Sequence, residues 1–262
     1  MNPNTEKIIK VVLALGAYMI MHCNADLDLA MGRIQPLLTD TTSNASDARI
    51  TESDVKRQVQ DCLGGLLKAK SIGWVDFAYG GFDADEYKHL GCPLNADLHE
   101  IVPGKLIIMR GPRDLANGAT WLDTVHADGS IGPRDFSSTH FAEILQQLNV
   151  QAVVQCCAPF YDRQGFEKAG IAVVDLCCED DSPPPIDVIS KFIAIAERLP
   201  SAIAVHGGTG PGWSGTLAAL YMMKHHGFAA REAVGWLRIV RPGRWPWPHG
   251  CVRTPLAITP HA

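Results

Sequence analysis

Five glycines crowd between positions 207 and 215, at 207, 208, 210, 212 and 215. Directly before them stands Ala202 to His206, AIAVH, an uncharged apolar run that reads as a strand buried on both faces. Directly after them, from Thr216, the spacing of Leu217, Leu220 and Tyr221 reads as a helix. Strand, glycine loop and helix N-terminus make an anion cradle. Glycine lets backbone N–H groups turn inward, and the first helical turn carries unpaired N–H groups and partial positive charge, so phosphate is the natural guest. The competing reading is a tight turn, but five glycines exceed what a turn requires. His206 closes the strand, where an imidazole serves the loop as a structural hydrogen-bond partner.

Two other anion loops share this outline. Gly210, Gly212 and Gly215 satisfy G-x-G-x-x-G, the dinucleotide-binding fingerprint. That fold also needs an acidic residue about 20 positions on, at the end of the next strand. Glu232 falls instead inside a second helical pattern. A nucleotide-triphosphate loop is excluded, because no lysine precedes Ser214 to reach the β and γ phosphates.

A third reading accounts for far more of the chain. A strand ending in His206, a loop spaced like H-C-x-x-G-x-x-R-[ST]-G and a helix through His225 resemble the cysteine-dependent protein tyrosine phosphatases. More closely, AIAVHGGTGPGWSGT and LYMMKHHGFAAREAVGWLRIVRPG resemble the mitotic-exit (cell-division-cycle) dual-specificity protein phosphatases, which counteract proline-directed kinases. EIVPGKL, NVQAVVQ and AVVDLCCEDDSPP fall where that family has its own landmarks, and the resemblance runs over residues 71–250.

The resemblance implies a phosphate loop over His206, Gly207, Gly208, Thr209, Gly210, Pro211, Gly212, Trp213 and Ser214. In the family a cysteine thiolate attacks phosphorus, and an arginine fork binds two phosphoryl oxygens and stabilises the transition state. Here the cysteine position is Gly207 and the arginine position is Trp213. Pro211 also lacks an N–H. Thr209 and Ser214 carry hydroxyls, which need an adjacent base before they can attack. Asp180, in EDDSPPP, matches the general acid that protonates the leaving oxygen. His249, in RWPWPHG, stands where the first of two water-placing glutamines is expected. Asp83, Asp85 and Glu86 match acids near a groove that favours substrates with a basic residue after phosphoserine-proline; a solvated face is the simpler reading. The implied function is a pseudophosphatase that binds proteins, including phosphoproteins with Ser-Pro sites. An active phosphatase and a dinucleotide-binding module are the alternatives, and neither a cofactor nor a metal is expected.

The rest of the chain must position that loop. From Lys105, strand-like LIIMR, AVVQCC, AVVDLCC and AIAVH alternate with helical FAEILQQL and IDVISKFIAIAERL, which predicts an α/β phosphatase-like sheet with helices on its faces. Residues 111–137 read as a long surface loop. The N-terminal stretch imitates a signal peptide, with Lys7 and Lys10 before VVLALGAYMIM, but no small-residue cleavage site follows and the run is too short to span a membrane. It reads as a buried helix, and no membrane partner is expected.

An internal repeat supports that reading. Shifting the chain by 203 positions lays Tyr18 on Tyr221, Met19 on Met222, His22 on His225, Ala30 on Ala233 and Gly32 on Gly235. The chain therefore carries two copies of one helix pair. The first copy's loop would fall near residue 4, so the expected organisation is a partial, mostly helical, non-catalytic phosphatase-like domain at 1–90, a linker at 91–103 and the phosphatase-like domain at 104–262. Helices over 8–22 and 52–70 are then expected to show apolar faces, with dimerisation or a missing N-terminal half as the consequence. A net charge of -5 argues against nucleic acid. Eight cysteines without C-x-x-C spacing read as free thiols in a reducing compartment, cytoplasmic or nuclear.

Overall fold

The structure, a computed structural model, describes residues 3–42, 51–77, 81–158, 160–177, 184–207 and 213–242. They form two units, one drawn from 1–82 and 222–262 and the other from Asp83–Tyr221.

The first unit is helical. Its elements are α1 (Pro3–His22), α2 (Leu27–Thr42), α3 (Glu52–Ser71) and, from the far end of the sequence, α9 (Ala230–Val240). Asp26 starts α2 by accepting from the Leu29 N–H at 2.8 Å. Thr51 and Asp54 start α3 as a capping box, each side chain taking the other's backbone N–H. The end of α1 is capped from a distance, with Lys70 Nζ donating to Ile20 O at 2.5 Å, Met21 O at 3.3 Å and Asn24 Oδ1 at 2.7 Å. Ile9, Val12, Ile20, Ile34, Leu38, Val55, Val59, Leu63 and Leu66 are buried as its core.

Helices α3 and α9 meet through glycine. A Cβ on Gly235 would overlap the Asp61 carbonyl, and one on Gly65 would overlap the Glu232 carbonyl and the Trp236 N–H, so the two backbones touch. Trp74 then packs beside His226, Phe228 and Trp236, with ring centroids 4.7 to 6.1 Å apart. The helix pair expected from the repeat is thus present at both places in the chain. The expectation for 52–70 is corrected: Val55, Val59, Leu63 and Leu66 are buried, because α1, α2 and α9 all pack on α3.

The second unit begins with α4 (Ala84–Gly91) and continues through β1 (Leu98–Val102), β2 (Leu106–Met109), β3 (Trp121–Leu122), β4 (Asp135–Phe136), α5 (Ser138–Gln147), β5 (Val150–Gln155), α6 (Gln164–Lys168), β6 (Ala172–Asp175), α7 (Ile186–Arg198) and β7 (Ala202–His206). Helix α8 (Trp213–His226) belongs to this unit as far as Tyr221. The sheet runs β1-β2-β7-β5-β6, antiparallel at β1/β2 and parallel elsewhere. The expected linker at 91–103 is corrected, since Leu98–Val102 is a sheet strand and the units divide at Phe82/Asp83. Pro93 and Pro103 resemble linker punctuation, but they only bracket a short edge strand.

Alternation along the strands covers both faces. Ile107, Met109, Val153, Ala202 and Ala204 share a core with Phe141 and Leu145 of α5 and Phe166 of α6. Leu106, Ile108, Val154, Ile203 and Val205 are equally buried, and α7 and α8 add buried Phe192, Ile193, Leu217 and Ala218. Full burial of each such large side chain stabilises by about 1.5–3 kcal/mol. Strand β6 is an edge strand, with Ala172 and Asp175 exposed and Val173 and Val174 half-buried. Past its end Cys177 is exposed, whereas Cys156 and Cys157, past the end of β5, are both buried.

Candidate active site

The sheet order marks the candidate position for a ligand. The chain leaves β2, places β5 and β6 to one side, then returns through β7 into the gap between β2 and β5. Ligands of parallel α/β sheets sit beyond the carboxyl ends of strands where the order reverses, and here that point is His206 and Gly207.

His206 is fully buried, with Nε2 3.0 Å from the Tyr161 hydroxyl. Burial pushes its pKa down to about 4, against the opposing pull of the Gly207 backbone and the Asp175 charge. The imidazole is therefore neutral at physiological pH. Burial also pushes the Tyr161 hydroxyl up, so Tyr161 remains a phenol that can donate to Nε2. Phe160 stands edge-on to His206 at 6.3 Å, and the Arg113 guanidinium lies over Phe160 at 4.8 Å. Gly111 backs onto the imidazole: a Cβ there would come within 3.0 Å of Nδ1 and of Phe160.

Around this centre the strand ends are tied together. The Cys156 N–H donates to His206 O at 2.8 Å, and the Leu176 N–H donates to Gln155 O at 2.8 Å. Buried Gln155 donates from Nε2 to Cys157 O at 3.1 Å, and the Cys177 thiol reaches the same oxygen at 2.6 Å. Arg163 pairs with Asp175 at 3.1 Å; both side chains are partly exposed, so the pair contributes at most about 1 kcal/mol. Asp114 accepts from the Asp162 N–H at 2.5 Å and fixes the turn that carries Tyr161.

Gly207 follows directly. A Cβ built on it meets no atom of the described residues within 4 Å. Beyond the loop, Trp213 is the first residue of α8 and only 6% exposed, so its indole is packed rather than presented. Ser214 follows it, half-buried. Gly208, Thr209, Gly210, Pro211, Gly212, Asp180 and His249 lie outside the described residues. Asp83, Asp85 and Glu86 have a local role at α4: Asp83 Oδ1 accepts from the Asp85 and Glu86 N–H groups at 3.0 and 2.9 Å, and the other two carry negative charge in the first turn. The dinucleotide reading is corrected, since α8 is followed by α9 and Glu232 lies in that helix instead of closing a strand.

Sequence reasoning missed Tyr161, Phe160, Gly111 and Gln155. The one usable signal was position, since each follows or closes a parallel strand at the sheet's carboxyl edge.

The dual specificity phosphatase catalytic-domain family matches residues 136–249, a span that holds α5 to α9 and the whole loop. The class is therefore the dual-specificity phosphatase family within the protein tyrosine phosphatase superfamily. The chain is 32% identical over 235 residues to the tyrosine-protein phosphatase cdc-14 of Caenorhabditis elegans, covering 90% of this chain and 31% of that one. It is 35% identical over 200 residues to the dual specificity protein phosphatase CDC14A of Homo sapiens, covering 75% of this chain and 31% of that one. The crystal structure of Tk-PTP in the active form aligns with a TM-score of 0.41 at 21% identity, over 56% of this chain and 85% of that one. The chain belongs to the mitotic-exit, CDC14-type dual-specificity phosphatase family and spans 31% of the length of these two relatives.

Proposed function

We propose that this chain is a pseudophosphatase, which keeps the scaffold of the phosphate site and engages protein partners without hydrolysing them. The observation that carries the reading is Gly207, a residue without a side chain at the carboxyl end of the central strand, with no atom of the described residues within 4 Å of where a Cβ would stand. Phosphomonoester hydrolysis in this class forms a bond from cysteine sulfur to phosphorus as the ester oxygen leaves with a proton, and water then cleaves that bond. Glycine offers no atom to form the first bond. The adjacent imidazole cannot substitute, being buried with Nε2 beside Tyr161. A buried indole at 213 supplies one N–H where a guanidinium supplies a planar fork.

Losing that fork removes charge-assisted hydrogen bonds worth about 1.5–3 kcal/mol each, so phosphate affinity falls at least about tenfold per bond. The partners in this reading are proteins, among them phosphoproteins with Ser-Pro sites, in the cytoplasm or nucleus. The described cysteines are all free, which supports a reducing compartment, and no helix among the described residues is long and apolar enough to cross a membrane. The repeated helix pair supports reading α1 to α3 as part of a non-catalytic phosphatase-like domain.

Phosphate release from phosphotyrosine and phosphoserine-proline peptides tests the proposal. No release above background is expected from purified protein. Turnover that survives repurification and disappears on Asp180→Asn establishes an active phosphatase instead.

A further inference from the structure

Two thiols meet where β5 and β6 end. The parallel register pairs Val154 with Val174 and Gln155 with Asp175. The Leu176 N–H, donating to Gln155 O at 2.8 Å, carries that register one residue further, and two residues on from the last pair stand Cys157 and Cys177. Strands in register hold opposed residues about 4.8 Å apart, inside the Cα separation of about 4.4–6.8 Å that a disulfide spans. The contact is direct, with Cys177 Sγ 2.6 Å from Cys157 O. Buried Cys157 suits the role of a small apolar filler, but Cys177 is exposed, and an exposed thiol fills nothing. Both belong to a cluster of ionisable groups. Burial raises the Cys177 thiol, with Asp175 adding to the effect and Arg163 opposing it. Burial also raises the Tyr161 hydroxyl most, opposed by Arg163 and reinforced by Cys157, so the Cys157 thiol lies beside the phenol that contacts His206.

We propose that Cys157 and Cys177 form a reversible disulfide, a redox site separate from the phosphate loop. Neither stands at Gly207, so the bond does not depend on whether the chain hydrolyses phosphate. The oxidant is a small disulfide of the glutathione class. The exposed Cys177 thiol gives up its proton and attacks one sulfur of that disulfide, and the other sulfur leaves, takes a proton and departs as a thiol. The Cys157 thiol then attacks Sγ of Cys177 in the mixed disulfide and releases the second small thiol, so the pair loses two hydrogens with their electrons and the oxidant gains them. A dithiol resists oxidation where its thiolate is stabilised, and the raised Cys177 thiol has no such protection. In a reducing compartment such a bond is a transient sensor rather than a permanent staple. It joins the turn that carries Tyr161 to the end of β6, beyond which the sequence runs on to Asp180.

Incubation of the folded full chain with oxidised glutathione, followed by alkylation and tryptic digestion without reduction, tests the proposal by mass spectrometry. The peptide of residues 135–163 is expected to be linked to that of residues 169–191, and the link to disappear with dithiothreitol. Each peptide holds two cysteines, so fragmentation of the linked pair from the unmutated chain locates the bond, expected at Cys157 and Cys177. Cys157→Ser removes the resolving thiol, and glutathione is then expected to accumulate on Cys177 at least about tenfold above its level in the parent. The map of the unmutated chain decides the matter even where Cys157→Ser folds poorly. Glutathione that persists on Cys177 of the parent, a link from Cys177 to any other cysteine, or both thiols still unmodified in excess oxidant overturns the proposal.

Discussion

His206 sits where no water reaches it, and its proton affinity records that burial. Its folded pKa is about 4 against 6.5 for an ordinary histidine, so between those values the unfolded chain holds more protons than the folded one. The stability this represents is complete above pH 6.5 and is lost as pH falls towards 4, a change of about 3 kcal/mol. Urea titrations at about pH 7.5 and pH 4.5 are expected to show the loss, and His206→Gln is expected to flatten it. One residue further on, Gly207→Cys meets no described neighbour and is expected to fold as the parent does. Alone it should release no phosphate. With Trp213→Arg added, single-turnover release should appear, because nucleophile and charge partner act as a unit and their effects are strongly non-additive. Trp213 is buried, so that second change should also cost about 3–5 kcal/mol of stability, and the revertant needs assay at low temperature. A Gly207→Cys single variant as fast as the double one would remove Trp213 from the arginine's place.

Two glycines related by the internal repeat make the sharpest comparison between elements. Gly235 of α9 touches the backbone of α3, whereas Gly32 of α2 has no atom of the described residues within 4 Å of where a Cβ would stand. Gly235→Ala is expected to force α3 and α9 apart and cost about 3 kcal/mol or more, while Gly32→Ala gains about 0.5–1 kcal/mol from helix propensity. Chemical denaturation of the two variants checks both signs. The sequence alone carried the repeat, and with it the existence of α1, α2, α8 and α9, because Tyr, Met, His, Ala and Gly recur at one fixed offset. It also carried β7 and α8, because an uncharged apolar run before a glycine cluster leaves few alternatives. It could not carry β1, whose five residues between prolines have too little pattern to outweigh the punctuation. Nor could it carry the Tyr161–His206 contact, which joins positions 45 residues apart through the parallel order of β5 and β7. For Asp83, Asp85 and Glu86 the resemblance implied a substrate groove and the simpler reading was a solvated face; in the structure they stand at the start of α4, Asp83 as its cap and the other two in its first turn.

On the scale of the whole molecule, the first unit is discontinuous: α9 returns from the far end of the sequence to lie on α3. Cys62 of α3 reports on that packing, being 1% exposed with a thiol pushed up to about 12 by burial. A fragment of residues 1–82 lacks α9, so its Cys62 is expected to react with a thiol reagent at least about tenfold faster than in the full chain, where reaction waits on opening of the unit. Equal rates would show that α3 needs no cover. The same discontinuity sets a timetable during synthesis. About 160 residues separate the end of α3 from the start of α9, and a ribosome adds roughly 5–20 residues per second, so α3 waits on the order of ten to thirty seconds for its last neighbour. Throughout that interval Val59, Cys62 and Leu66 are within reach of chaperones, and every nascent chain passes through a sticky adolescence that the finished protein conceals.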